Sequence, residues 1–174
     1  FAQIGMGYML VQVPALQRFS IYLGHPTYTL AIVLFAMILF SGLGSFASDR
    51  AATPAPAITR VPLLAALLIL GLAFGVQPLI ELTIEQPLWL RCLVVIALIA
   101  PVSFLLGFCF PLGLRAVAAR SEDATPWMWG VNGAFGVVAS VLSVVMSMAL
   151  GISSSWIAAA TLYAGLAWVG RRIA

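Results

Sequence analysis

Charge is what this sequence has least of. Only 7% of its 174 residues are Asp, Glu, Lys or Arg, whereas a soluble domain carries roughly a quarter, which keeps its surface wet. Water is thereby excluded as the main solvent. Lysine is missing altogether: the eight basic residues are all Arg, and a net charge of +3 is too small and too scattered to meet a nucleic-acid backbone. One histidine, His25, and two cysteines, Cys92 and Cys109, provide no cluster with metal-ligand spacing, and the sequence has neither a nucleotide-binding loop nor a nucleophile triad. The cysteines fall near opposite ends of one apolar run, about 25 Å apart at about 1.5 Å per residue, which is too far for a disulfide. No catalytic residue, metal or cofactor is expected within this segment. An initiator Met and a signal-peptide pattern are also missing, since the chain opens on Phe1 inside an apolar stretch, so it reads as a fragment of something longer.

What is present is hydrocarbon. The chain is 63% hydrophobic with a mean hydropathy of +1.13, and a helix needs about 20 apolar residues to cross a hydrocarbon core about 30 Å thick. Six such runs are legible, at approximately 1–22, 28–46, 61–80, 88–110, 126–150 and 153–170. The expected fold is an all-α polytopic bundle, a single transmembrane domain over 1–174. The first run is interrupted by Gln12, Pro14, Gln17 and Arg18, so its second half is expected to kink and to face protein rather than lipid. Residues 47–60, rich in Ser, Asp, Pro and Thr, read as a flexible connection, and residues 111–125 as a charged stretch in water or among headgroups. Gly71 and Gly75, four apart, suggest a close helix approach, and Gly136, Ser140, Ser143, Ser147 and Gly151 share one small-residue face that should pack tightly. Gly151 with serines 153–155 reads as a tight turn between the last two helices.

Six crossings put the chain start, both central connections and the C-terminus on one side. That side collects Arg50, Arg60, Arg115, Arg120, Arg171 and Arg172, leaving Arg18 and Arg91 opposite, so the positive-inside rule assigns both termini to the cytoplasm.

The polar residues each admit a functional and a structural reading. Gln12, Gln17 and Arg18 are costly inside a bilayer unless paired; they either line a polar cavity or anchor the helix, with Arg18 reaching the interface. His25, before Pro26, reads as a turn histidine, and Glu81, Glu85 and Arg91 as an exposed turn with a loose ion pair. A cluster of glycine-bearing motifs lies at the cytoplasmic ends of three helices. Its members are Ser41, Gly42, Gly44 and Ser45, then Pro111, Gly113 and Arg115, then Trp129, Asn132 and Gly133. Glycine permits close backbone approach, Arg115 can hold a phosphate or carboxylate, and Asn132 can hydrogen-bond between helices. The cluster is either a substrate site or a tight packing joint.

At these motifs the sequence resembles the C-terminal membrane region of bacterial spermidine-synthase-like integral membrane proteins, described as fused major-facilitator and spermidine synthase proteins. The matching residues are spread over most of the chain: Ile4–Gln12, Gln17–Phe19, Leu23–Tyr28, Ser41–Ser45, Phe110–Arg115 and Trp129–Gly133. The resemblance implies an attached cytoplasmic transferase domain with the aminopropyltransferase or methyltransferase fold, ending just before Phe1. It further implies a multi-pass location in the bacterial inner membrane, with lipid and possible small-molecule partners such as polyamines. The chain departs from the family pattern at Gln12, commonly Glu, and at Pro14, so a proton role for that carboxylate does not carry over. Residues 44–50 also resemble the Gly-to-Asp-Arg loop of major facilitator transporters, and six helices with both ends inside equal one half of that fold. An alternative function follows, a transporter module moving a polyamine or other small metabolite through a cavity lined by Gln12, Gln17, Arg18 and Asn132.

Overall fold

The structure, a computed structural model, describes residues 1–50, 54–118 and 122–173. Among them are six α-helices: α1 (Ala2–Leu23), α2 (Pro26–Ser48), α3 (Pro54–Thr83), α4 (Leu88–Ala118), α5 (Thr125–Leu150) and α6 (Ile152–Ile173), with one 3-10 turn at Glu122–Ala124. The all-α bundle expected from the hydropathy pattern is therefore the fold that forms. Five helices, α2 to α6, are long and apolar enough to cross a membrane, which makes the chain a multi-pass membrane module. The first is not among them because of Gln3, Gln12, Gln17 and Arg18.

That helix tolerates its polar residues by occupying the centre. It packs most extensively on α5, then on α6, α2 and α4, and in the first 23 residues only Ile21 is exposed. The expectation that its second half faces protein is met, and the helix runs without a break through Pro14. A proline there withholds the amide that Leu10's carbonyl would accept from. On the next carbonyl, Val11 O, the fully buried Trp156 of α6 places its indole Nε1 as donor at 3.1 Å.

The helix ends depart from the sequence reading in two places. α3 begins at Pro54 rather than 61 and α4 runs to Ala118 rather than 110. Prolines in a first turn forgo amides that have no helical partner anyway. Pro111 costs α4 one hydrogen bond, and packing on both sides of it offsets that, with Cys109 and Leu112 buried and Phe1 lying over Gly113. Most of the supposed polar stretch 111–125 is thus helix, and the flexible connection 47–60 is largely helix too. Residues 51–53 and Arg120 lie outside the described residues. Serines 153–155 belong to α6 rather than to a turn: Ser154 donates to Met146 O at 3.3 Å and Ser155 to Ser143 O at 3.2 Å, stitching α6 to α5. Between them Gly151 supplies the turn at φ 89°. At the α1–α2 corner Gly24 adopts φ 77° and His25 caps α2, its Nδ1 accepting from the Thr27 amide at 3.2 Å.

Glycine sets the closest crossings, though not where spacing alone suggested. A Cβ on Gly44 would strike the Phe104 carbonyl, and one on Gly107 the Ser41 carbonyl, so α2 and α4 touch backbone to backbone at two reciprocal points. The Gly5 position similarly abuts Asn132 O in α5, and Gly170 abuts Ile58 O in α3. Gly71 and Gly75, by contrast, have nothing within 4 Å of an added Cβ and border a cavity between α3 and α4. On the small face of α5, Gly136 and Ser143 are buried, whereas Gly151 is exposed.

Candidate functional site

The helix order gathers the starts of α1, α3 and α5 and the ends of α2, α4 and α6 at one end of the bundle, here called the arginine end. Close contacts fix this arrangement: Arg115 Nη2 donates to Ser48 O at 2.5 Å, Phe1 lies over Gly113 and Gly170 abuts Ile58.

Just inside the arginine end, α1, α2, α4 and α5 border an open cleft of about 310 Å³. From the cluster singled out in the sequence it gathers Ser41, Gly42, Ser45, Pro111 and Asn132, and adds Tyr8. One of the two α2–α4 backbone contacts, Gly107 on Ser41, forms part of its wall. Asn132 and Tyr8 also border a neighbouring groove of about 210 Å³ between α1 and α5, where Gly133 and Ser140 lie. The Asn132 Oδ1 is buried and unpartnered, an unmet acceptor of a kind that is costly in a bilayer-embedded bundle. Ser41 Oγ donates to Ile38 O at 3.2 Å.

The other members of the cluster do different things. Gly44 is consumed by the α2–α4 crossing. The Gly113 position borders a separate apolar cavity. Arg115 sits in the last turn of α4, and its bond to Ser48 O, at the C-terminal residue of α2, places a cation where the helix dipole is negative. Trp129 packs edge to face on Phe110 with ring centroids 4.4 Å apart, forming an aromatic rim at the cleft.

At the opposite end a second polar group is assembled around α1. Arg18 donates through Nη1 to Gln77 Oε1 and through Nη2 to Ser153 Oγ, both at 2.8 Å, and its guanidinium lies 5.5 Å from the Trp156 ring centroid. The Gln77 Nε2 in turn donates to Glu81 Oε1 at 2.9 Å. One arginine thereby ties α1 to both α3 and α6. Arg91 donates to Tyr22 O at 2.8 Å at the end of α1, while Tyr22 and Thr83 share a hydroxyl bond of 2.7 Å. The half-buried Gln17 borders a small cavity with Ser20 and Thr29, its Oε1 buried and unpartnered. Gln12 is half-buried and lines none of these cavities.

Between the two polar ends the buried side chains are mainly hydrocarbon, with Ser103, Ser143 and Ser155 the fully buried hydroxyls among them. Leu10, Val11, Ala15, Val33, Ala36, Met37, Ile99 and Val102 all have 1% exposure or less. Sequence reasoning missed Tyr8 and Trp156, the first a cleft wall and the second the donor to α1's proline turn. An aromatic in an apolar run carries no signal until its neighbours are known. Among the described residues, no group of three or more His, Cys, Asp or Glu is placed to hold a metal ion.

Comparison of the chain with protein-family models, with characterised proteins and with solved structures finds no match.

Proposed function

We propose that the chain is the membrane module of a spermidine-synthase-like protein of the bacterial inner membrane, with its arginine end in the cytoplasm. In this reading it anchors a cytoplasmic transferase domain and offers a small molecule the cleft of Tyr8, Ser41, Ser45 and Asn132. The observation that carries the reading is the contrast along the bundle axis: a glycine-framed cleft with polar groups near the arginine end gives way to a layer of buried, mainly apolar side chains. A site of that shape does not run through the bundle. Its chemistry suits an uncharged or cationic N–H donor, since hydroxyl and amide oxygens line it together with Tyr8 and Phe110 rings.

The test uses the full chain in native membranes. Ser45→Leu, which fills the cleft at its edge, should leave insertion intact and reduce the attached domain's use of substrate several-fold at sub-saturating concentration. Unchanged substrate use in a correctly inserted variant overturns the cleft's role. Release of the transferase domain from membranes without proteolysis would overturn the anchoring role.

A transporter module is the second reading, and one observation favours it. The helix pairs α1·α5, α2·α4, α3·α6, α1·α6 and α3·α4 map onto themselves when the first three helices are exchanged with the last three, as in inverted-repeat transporters. The apolar middle layer weighs against passage. Uptake of labelled spermidine into vesicles containing the chain, absent from empty vesicles, would decide for transport.

A further inference from the structure

We propose a second site at the arginine end, an apolar cavity that takes the hydrocarbon chain of an amphiphile whose anionic headgroup rests among the arginines. The cavity shares the Ile4 wall with the cleft and is otherwise lined by different residues. Four helices wall it: Phe1 and Ile4 of α1, Ile58 and Pro62 of α3, Leu112 of α4 and Leu166 of α6. Its volume is about 270 Å³, room for roughly nine waters at about 30 Å³ each.

Water does not suit it, because each buried water needs two to four polar partners. The walls supply little beyond the Gln3 amide and the Cys109 thiol, and that thiol already donates to Leu105 O at 3.5 Å. Emptiness does not suit it either, since lining atoms without partners lose their dispersion contacts. Dry cavities of about 150 Å³ with such walls take up apolar molecules. This one is larger, and it is built from the first turns of α1 and α3 and the last turns of α4 and α6. It therefore sits near headgroup depth, within reach of a lipid or fatty-acyl chain.

The charge around it selects the headgroup. Among the described side chains this end carries Arg50, Arg60, Arg115, Arg171 and Arg172 against Asp49 and Asp123. Arg115 is engaged with Ser48 O, and Arg172 stacks on Trp168 at 4.0 Å. Arg60, between wall residues Ile58 and Pro62, and Arg171, next to wall residue Gly170, are exposed on the outer flanks of their helices. Guanidinium groups on the flanks and hydrocarbon between the helices match a phosphate or carboxylate with one chain inserted.

The test measures thermal unfolding of the full chain in a zwitterionic detergent, with added phosphatidylglycerol, phosphatidylcholine of the same acyl composition, or laurate. Phosphatidylglycerol should raise the midpoint by several degrees and phosphatidylcholine by clearly less. Laurate matching phosphatidylglycerol would identify the ligand as any single anionic chain, and laurate without effect would identify a bilayer lipid. Ala116→Phe, or Val169→Phe on another wall, should fill the cavity and abolish the shift, while Arg60→Gln with Arg171→Gln should make the two lipids equivalent. Equal shifts from both lipids in the unsubstituted protein overturn the proposal. So does a filled variant that responds like the original. Should both filled variants fail to fold, phosphatidylglycerol with a photoreactive chain must crosslink within 109–117 or 166–170, and labelling only elsewhere refutes the site.

Discussion

Gly107→Ala should weaken this bundle far more than its single methyl suggests. In an ordinary helix the change stabilises by about 0.5–1 kcal/mol, because glycine loses more backbone entropy on folding. Here the new Cβ falls within the van der Waals envelope of the Ser41 carbonyl oxygen, a backbone atom that no rotamer change can move. The helices must separate by roughly 1 Å, and a gap of that size forfeits a quarter to a half of each dispersion contact across it. The α2–α4 contact is the most extensive in the molecule, so the loss belongs near the upper end of the 1–3 kcal/mol typical of overpacking, about 3 kcal/mol. The matched control is Gly71→Ala, whose Cβ meets nothing within 4 Å and should be neutral or stabilising by up to about 1 kcal/mol. Denaturant titration in mixed micelles, followed by tryptophan fluorescence, measures both. Equal stability of the two variants would refute the claim that backbone contact at Gly107 holds α2 to α4.

Trp156→Phe removes the side-chain donor to Val11 O, the carbonyl next to the one Pro14 leaves unpaired; the expected loss is about 0.5–1.5 kcal/mol in the same titration, and an unchanged midpoint would mean this bond does not help hold α6 to α1. With Cys92 and Cys109 replaced by Ser, an impermeant thiol reagent applied to intact cells should label Glu85→Cys and spare Ala118→Cys until the membrane is opened; the reverse pattern inverts the topology argued from the arginines.

Hydropathy alone determined the helical class and five helices apolar enough to span a membrane, because a chain with 7% charge must satisfy its peptide groups internally. Arginine counting likewise grouped one set of helix ends, and the motif positions were enough to bring Ser41, Ser45, Pro111 and Asn132 under suspicion together. Sequence could not say which helix would be central. Gln12, Gln17 and Arg18 read equally as a cavity lining or an anchor until α3 and α6 supplied Gln77 and Ser153 to Arg18. Nor could spacing tell Gly107, which touches backbone, from Gly71, which borders open space. The period of a helix fixes which residues share a face, but the partner that the face meets depends on contacts between segments distant in sequence. Those contacts alone sent Arg115 to the end of α2, left Asn132 Oδ1 without a partner, and divided the arginine end into a polar cleft and an apolar cavity.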